Sequence, residues 1–237
     1  PQSRRPVRQT TAMPSSRNNP TPAPGVITAI RAQVRDSQRV SLEINGEFAL
    51  GISLDVLAHE ALFVGQHLDD TTIARLMTSV AFDQAKQAAL RLLELRPRSQ
   101  RELTDRLRQR GFAPETITPV CALLSERGLI DDAAFANYLV EQRQRLRHRG
   151  AGAIRTDLRR HGIDNETIAE VSASHDLGST DTTNALAFAR TVAARHRGLD
   201  RATFTRRLGG ALQRRGFDSS AIRHALNTVW QELQQPQ

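Results

Sequence analysis

Apolar and polar positions alternate along Arg39-Val40-Ser41-Leu42-Glu43-Ile44, the period-two signature of a strand with one buried face. A β-rich run over 26–34 precedes it, and Glu47-Phe48-Ala49-Leu50-Gly51-Ile52 follows after Asn45-Gly46. An Asn-Gly pair between such runs marks a tight hairpin, because both central residues of a type I′ turn need positive φ. Residues 26–52 therefore predict a three-stranded meander. Ser53 can cap a short helix from Leu54 to about Glu60, Gly65 breaks the chain, and Asp69 or Asp70 can start another helix.

From about residue 80 the period becomes helical, and the helices repeat. Leu107-Arg-Gln-Arg-Gly111-Phe112 matches Leu158-Arg-Arg-His-Gly162-Ile163 and Leu212-Gln-Arg-Arg-Gly216-Phe217, with glycine spacings of 51 and 54. Isoleucine follows six residues after each glycine, at Ile117, Ile168 and Ile222. A period near 50 implies a supersecondary unit stacked along an axis. Each unit reads as a small helical bundle. In the first, Ala85–Leu95 predicts helix one, and Pro97 breaks the chain because it disfavours helical geometry at Arg96. Ser99 and Glu102 have capping-box spacing, Leu103 and Leu107 share a face, and Gly111 takes the left-handed position that ends the helix. Pro114 suits the first turn of helix three. The second unit opens at Asp131-Asp132 and the third near Asp181, with Asp200 and Asp218 as later caps. The motif residues Gly111, Phe112, Gly162, Ile163, Gly216 and Phe217 are thus read as structural.

The formal charge of +8 over 237 residues hides an uneven distribution. Residues 1–24 carry +4, 25–95 carry −3, 96–163 carry +6 and 164–237 carry +1, with a single lysine, Lys86, in the whole chain. The first 24 residues hold six of the ten prolines and almost no apolar side chains, so they are read as a disordered basic tail. Met13 within it is either the native start or part of a natural tail whose initiator has been removed. No apolar run approaches the roughly 18 residues of a membrane span. The N-terminus lacks the apolar region of a secretory signal, and the lone Cys121 suits a reducing, cytoplasmic setting.

Enzyme motifs are missing. Gly150-Ala-Gly152-Ala-Ile-Arg155 has arginine at the third glycine position of a dinucleotide loop and follows a helix. No P-loop, zinc-protease motif or nucleophile elbow occurs, and the seven histidines are scattered. Cys121 lies between apolar helix positions and reads as a buried small hydrophobe, while Tyr138 and Trp230 read as packing residues. No catalytic residue, metal site or cofactor is expected.

What remains is arginine. Arg143, Arg145, Arg147 and Arg149 end one helix, and Arg155, Arg159 and Arg160 lie on the next, with only Asp157 among them. Arg143/Arg147 and Arg155/Arg159 have i, i+4 spacing. The cluster reads either as a solvated helix face or as a site for acidic side chains or phosphates, which the guanidinium fork grips in pairs of bonds. Arg96, Arg98, Arg214 and Arg215 join it as interaction candidates.

The run from Ala89 through Pro97, Ser99, Glu102 and Gly111-Phe112 resembles the start of the RecX family, regulators of the RecA recombinase. So do Gly128-Leu129-Ile130-Asp131-Asp132…Phe135-Ala136, Arg149-Gly150…Ile154…Leu158…Gly162-Ile163, and Arg206-Arg207-Leu208…Leu212…Arg215-Gly216-Phe217. The resemblance covers about residues 81–230, and the β segment resembles the extension of longer members. It implies a mainly α protein of three tandem three-helix repeats in an elongated curved array. The expected organisation is a tail (1–24), a small β-meander/α extension (25–80) and repeats over 81–130, 131–178 and 179–237. It further implies a monomer that lodges in the groove of the RecA–DNA filament and limits filament extension, ATP hydrolysis and strand exchange. Free DNA, single- or double-stranded, would be bound weakly and without sequence preference. Gly209-Gly210 and the stretch 180–183 depart from the pattern in the third repeat. The competing expectation is a helix-turn-helix-like DNA-binding regulator.

Overall fold

The computed structural model describes residues 21–147 and 149–234, with the backbone alone for 144–147. The tail read as disordered lies outside the described residues as far as residue 20, and Met13 with it. Three strands form where the alternation places them: β1 (Gly25–Gln33), β2 (Asp36–Ile44) and β3 (Glu47–Ser53). Asn45 and Gly46 have φ of 53° and 85°, as the hairpin turn requires. The expected meander gains a fourth strand, β4 (His67–Leu68), paired antiparallel with β1 so that the order is β3-β2-β1-β4. Two residues carry no period, so this strand leaves no pattern in sequence. The buried sheet face, with Ile27, Leu42, Ile44, Leu50 and Ile52, packs in one core with Val56, Ile73, Leu76 and Val80. Val56 belongs to helix α1 (Leu54–His59), which Ser53 caps by accepting the Val56 N–H at 3.2 Å.

Helix α2 runs unbroken over Asp70–Leu93, capped by Asp69, which accepts the Thr72 N–H at 2.8 Å. The helix expected to begin at Ala85 is therefore the second half of a longer one. Neither glycine nor proline occurs between Asp70 and Leu93, so nothing interrupts propagation. The remaining helices are α3 (Gln100–Gln109), α4 (Pro114–Glu126), α5 (Asp132–Arg147), α6 (Ala151–Arg160), α7 (Asn165–Ser174), α8 (Leu177–Ala193), α9 (Arg201–Arg214) and α10 (Ser219–Gln234). A 3-10 turn over Ala194–His196 follows α8. With the second half of α2, these form three three-helix repeats.

The repeated glycine ends α3, α6 and α9 in one way. The N–H of Phe112, Ile163 and Phe217 reaches back to the carbonyl of Leu107, Leu158 and Leu212, at 3.2, 3.2 and 3.4 Å. The glycines between have φ of 88°, 83° and 77°, conformations that cost an L side chain about 1 kcal/mol. Gly209-Gly210 does not break α9. Gly209 faces Leu226, and a Cβ on Gly210 would meet Arg214 Nη1 at 3.4 Å.

Two units divide the chain. One runs through Arg91 and includes Thr104–Leu123; the other takes Leu92–Leu103 and Leu124 onward. The second unit holds two cores. Phe135, Ile154, Leu158, Ile163, Ile168 and Val171 form one, and Ala185, Ala189, Phe204, Leu208, Leu212 and Val229 the other.

Candidate functional site

The second unit joins its repeats by a device used twice. At one joint the Asp132 carboxylate accepts the Gln100 N–H at 2.8 Å, while Ser99 Oγ donates to the His161 carbonyl at 2.7 Å. At the other, the Asp181 carboxylate accepts the Ala151 N–H at 2.7 Å, while the Gly150 N–H donates to the Arg215 carbonyl at 2.9 Å. Gln100 and Ala151 stand 51 residues apart, the spacing of Gly111 and Gly162. The N-terminus of helix two in the first and second repeats is thus capped by an aspartate of the next repeat's first helix. It also abuts the glycine turn of the next repeat's second helix. Burial, opposed by these N–H bonds, pushes both carboxyls up. Asp181, read as the start of the third repeat, lies inside α8, is buried, and also accepts the Asp218 N–H at 2.7 Å.

Two arginine–carboxylate triads flank the joints. Glu102 receives Arg96 at 2.5 Å and also Arg98, whose Nε donates to the Leu92 carbonyl at 3.0 Å. Burial pushes the Glu102 carboxyl up, but Arg96 and then Arg98 outweigh it and hold the group below its ordinary value. Half of the expected capping box forms: Ser99 accepts the Glu102 N–H at 3.1 Å, and the Glu102 carboxylate turns to the arginines. In the second triad Asp157 receives Arg143 at 3.0 Å and also Arg149. Each triad carries one positive charge in excess. Arg96 and Arg143, one from each, line a cavity of about 320 Å³ with Phe135, Tyr138, Gln142 and His161. Tyr138 is thus a cavity wall as well as a packing residue.

The structure separates the other predicted arginines. Arg155 turns to Asp218 at 3.5 Å, 63 residues away, and Arg159 to Asn165 at 3.3 Å, so this i, i+4 pair diverges. Arg160 is exposed on α6. The side chains of Arg145 and Arg147 lie outside the described residues. Arg98 is buried and committed to the α2–α3 junction.

Arg214 and Arg215 meet a different group. Together with Arg195, Arg206 and Arg207 they line a cavity of about 580 Å³ between α8, the 3-10 turn and α9. Arg215 lies over the Phe188 ring, 4.0 Å from its centroid. Arg195, Arg206 and Arg207 were not among the sequence candidates, although Arg207 and Arg214 are seven residues apart and so share a helix face. Arg195 carries no such signal, since the fold of α8 against α9 brings it there.

Among the described residues, no group of three or more His, Cys, Asp or Glu is placed to hold a metal ion. No described helix is long and apolar enough to cross a membrane. Cys121 is buried beside Thr104, with Oγ1 and Sγ 3.7 Å apart, and burial pushes its thiol up.

Comparison with known proteins places four family domains on the chain. They are the regulatory protein RecX N-terminal domain at 25–69 and the first, second and third RecX three-helix domains at 85–123, 131–171 and 180–226. The regulatory protein RecX of Mycobacterium avium (strain 104) is 37% identical over 139 residues, 58% of this chain and 80% of that protein. That of Bacillus subtilis (strain 168) is 26% identical over 203 residues, 86% of this chain and 76% of that protein. A crystal structure of regulatory protein RecX matches in fold with a TM-score of 0.73, at 24% identity, over 85% of this chain and 98% of that one.

Proposed function

The chain belongs to the RecX family of regulatory proteins, and from that premise we propose that it modulates, chiefly by inhibition, the RecA recombinase. In this reading it binds in the groove of the RecA–DNA filament and limits extension, ATP hydrolysis and strand exchange. The twice-used joint is the observation that carries the reading. Asp132 and Asp181 each cap the second helix of the preceding three-helix repeat, so one contact recurs along the chain. A polymer presents the same surface again and again, so a repeat scaffold engages it with several weak contacts at once. Linked contacts gain from effective concentration. Inhibition then needs only contacts that differ between the filament and its free components.

The arginines best placed to reach a partner are Arg159 and Arg160, exposed on α6. Arg96, Arg143, Arg149 and Arg155 are already paired with carboxylates and shape the surface instead. The test is RecA ATPase on single-stranded DNA with this protein added at substoichiometric ratios. Inhibition below one protein per RecA supports the reading, and no effect at any ratio overturns it. Tight binding to one duplex sequence with ATPase unaffected would replace it with a DNA-binding regulator.

A further inference from the structure

We infer that the third repeat carries a phosphate-binding site, the five-arginine cavity between α8 and α9, which takes the sugar–phosphate backbone of a nucleic acid strand. The composition of the segment conceals it. Residues 164–237 carry only +1, yet four of their eight acids are engaged elsewhere. Asp181 serves the joint, Asp218 pairs with Arg155, Asp200 caps α9 and Glu232 pairs with Arg190. No carboxylate lines the cavity, and among the described residues no ion pair engages Arg195, Arg206, Arg207 or Arg214. Like charges gathered this closely are destabilising without an anion. Glycine at 210 leaves room for the Arg214 guanidinium to lie along α9.

The chemistry selects a phosphodiester chain. Guanidinium forks bind phosphate oxygens in pairs and hold their charge at any physiological pH. Arg207 and Arg214 are two helical turns apart, about 10 Å along the axis, so they grip separate anionic groups on one ligand. A nucleic acid supplies a charge at every residue, whereas a peptide needs an acidic run to match it. The contact is to backbone and not to bases. Arg215 already covers the Phe188 ring, and the other ring in the lining, His196, meets Phe204 edge-on. Binding is therefore independent of sequence. The site deepens the filament reading by giving the third repeat a nucleic-acid contact, but its test contains no RecA, so the two can fail separately.

The experiment is fluorescence anisotropy of labelled, mixed-sequence single-stranded DNA with the full chain across a salt series. The variant Arg207→Gln/Arg214→Gln alters two exposed side chains, and circular dichroism checks its helices. It should bind about tenfold more weakly near 0.1 M salt, and its log–log salt slope should fall by about 1.4, roughly 0.7 for each lost single-strand contact. The variant Arg35→Gln/Arg91→Gln removes the same charge from the first unit and should leave the slope unchanged. Wild-type binding by the cavity variant, or an equal loss in the control, overturns the assignment. So does displacement of the DNA by polyglutamate at lower charge concentration than by unlabelled DNA, which would make the ligand an acidic protein.

Discussion

The Asp181 carboxylate accepts the Ala151 N–H at 2.7 Å, across the boundary between the second and third repeats, and does so while buried. Its other oxygen takes the Asp218 N–H, so one side chain caps α6 and anchors the entry to α10. Asp181→Ala leaves two N–H groups unanswered, that of Ala151 buried and that of Asp218 partly so. It should lower stability by about 1–3 kcal/mol in urea unfolding. Asp132→Ala, which frees a single N–H at the equivalent joint, should cost less.

Gly216 tests the packing of the same joint. A Cβ there would lie 2.4 Å from the Ala153 Cβ, on a backbone with φ of 77°. Gly128 has φ of 67° and open space around it. Gly128→Ala should therefore cost about 1 kcal/mol from backbone strain alone. Gly216→Ala should cost at least about 2 kcal/mol, because α6 must move away. Parallel thermal melts of the two variants measure the difference.

The pH dependence follows from Glu102. Its folded-state carboxyl titrates below the ordinary value of 4.5, because Arg96 and Arg98 outweigh the cost of burial. A depressed carboxyl stabilises the fold above its unfolded value and loses that contribution as pH falls through the folded one. Wild type should thus exceed Glu102→Gln in stability at pH 7, and the gap should close progressively below about pH 4.5. Urea titrations of both proteins between pH 7 and 3 check the sign. A gap that widened with acid would contradict it.

Reversal of exposed arginine should affect function without affecting the fold. Arg159→Glu/Arg160→Glu should change stability by no more than about 0.5 kcal/mol per site. It should raise the concentration needed to inhibit RecA ATPase by about three- to tenfold, with the larger effect at low salt. Arg143→Glu places a carboxylate against Asp157 and should instead show itself in the unfolding transition. Unfolding and ATPase measured on the same preparations separate the two behaviours.

Cys121 should resist thiol reagents in the folded state. Its side chain is buried and burial pushes the thiol up, so little thiolate is present. Labelling by a chromogenic disulfide should be slow at neutral pH, accelerating steeply as urea unfolds the chain.

Local features were legible from the residues alone. The Asn45-Gly46 turn, the Ser53 cap and the three glycine helix ends each depend on hydrogen bonds spanning a few residues, so the residue types dictate them. The repeat was legible because its glycine turn recurs with a similar sequence around it, leucine four residues before and an apolar residue after. The family resemblance rested on that recurrence. Arginine partners were not legible, because charge pairs by proximity in space. Arg143 meets Asp157 on another helix, and Arg155 meets Asp218 in another repeat. Among the described side chains, what read as one basic face over 143–160 became a triad around Asp157, an Arg155–Asp218 pair and the exposed Arg159 and Arg160. The sequence by itself determined most of the elements, their capped ends and their repetition, since short-range backbone preferences set them, whereas β4 and the unbroken length of α2 came from the fold. Tertiary structure alone decided which guanidiniums meet carboxylates and which gather around the third-repeat cavity, because Coulombic and hydrogen-bond partners are chosen by packing.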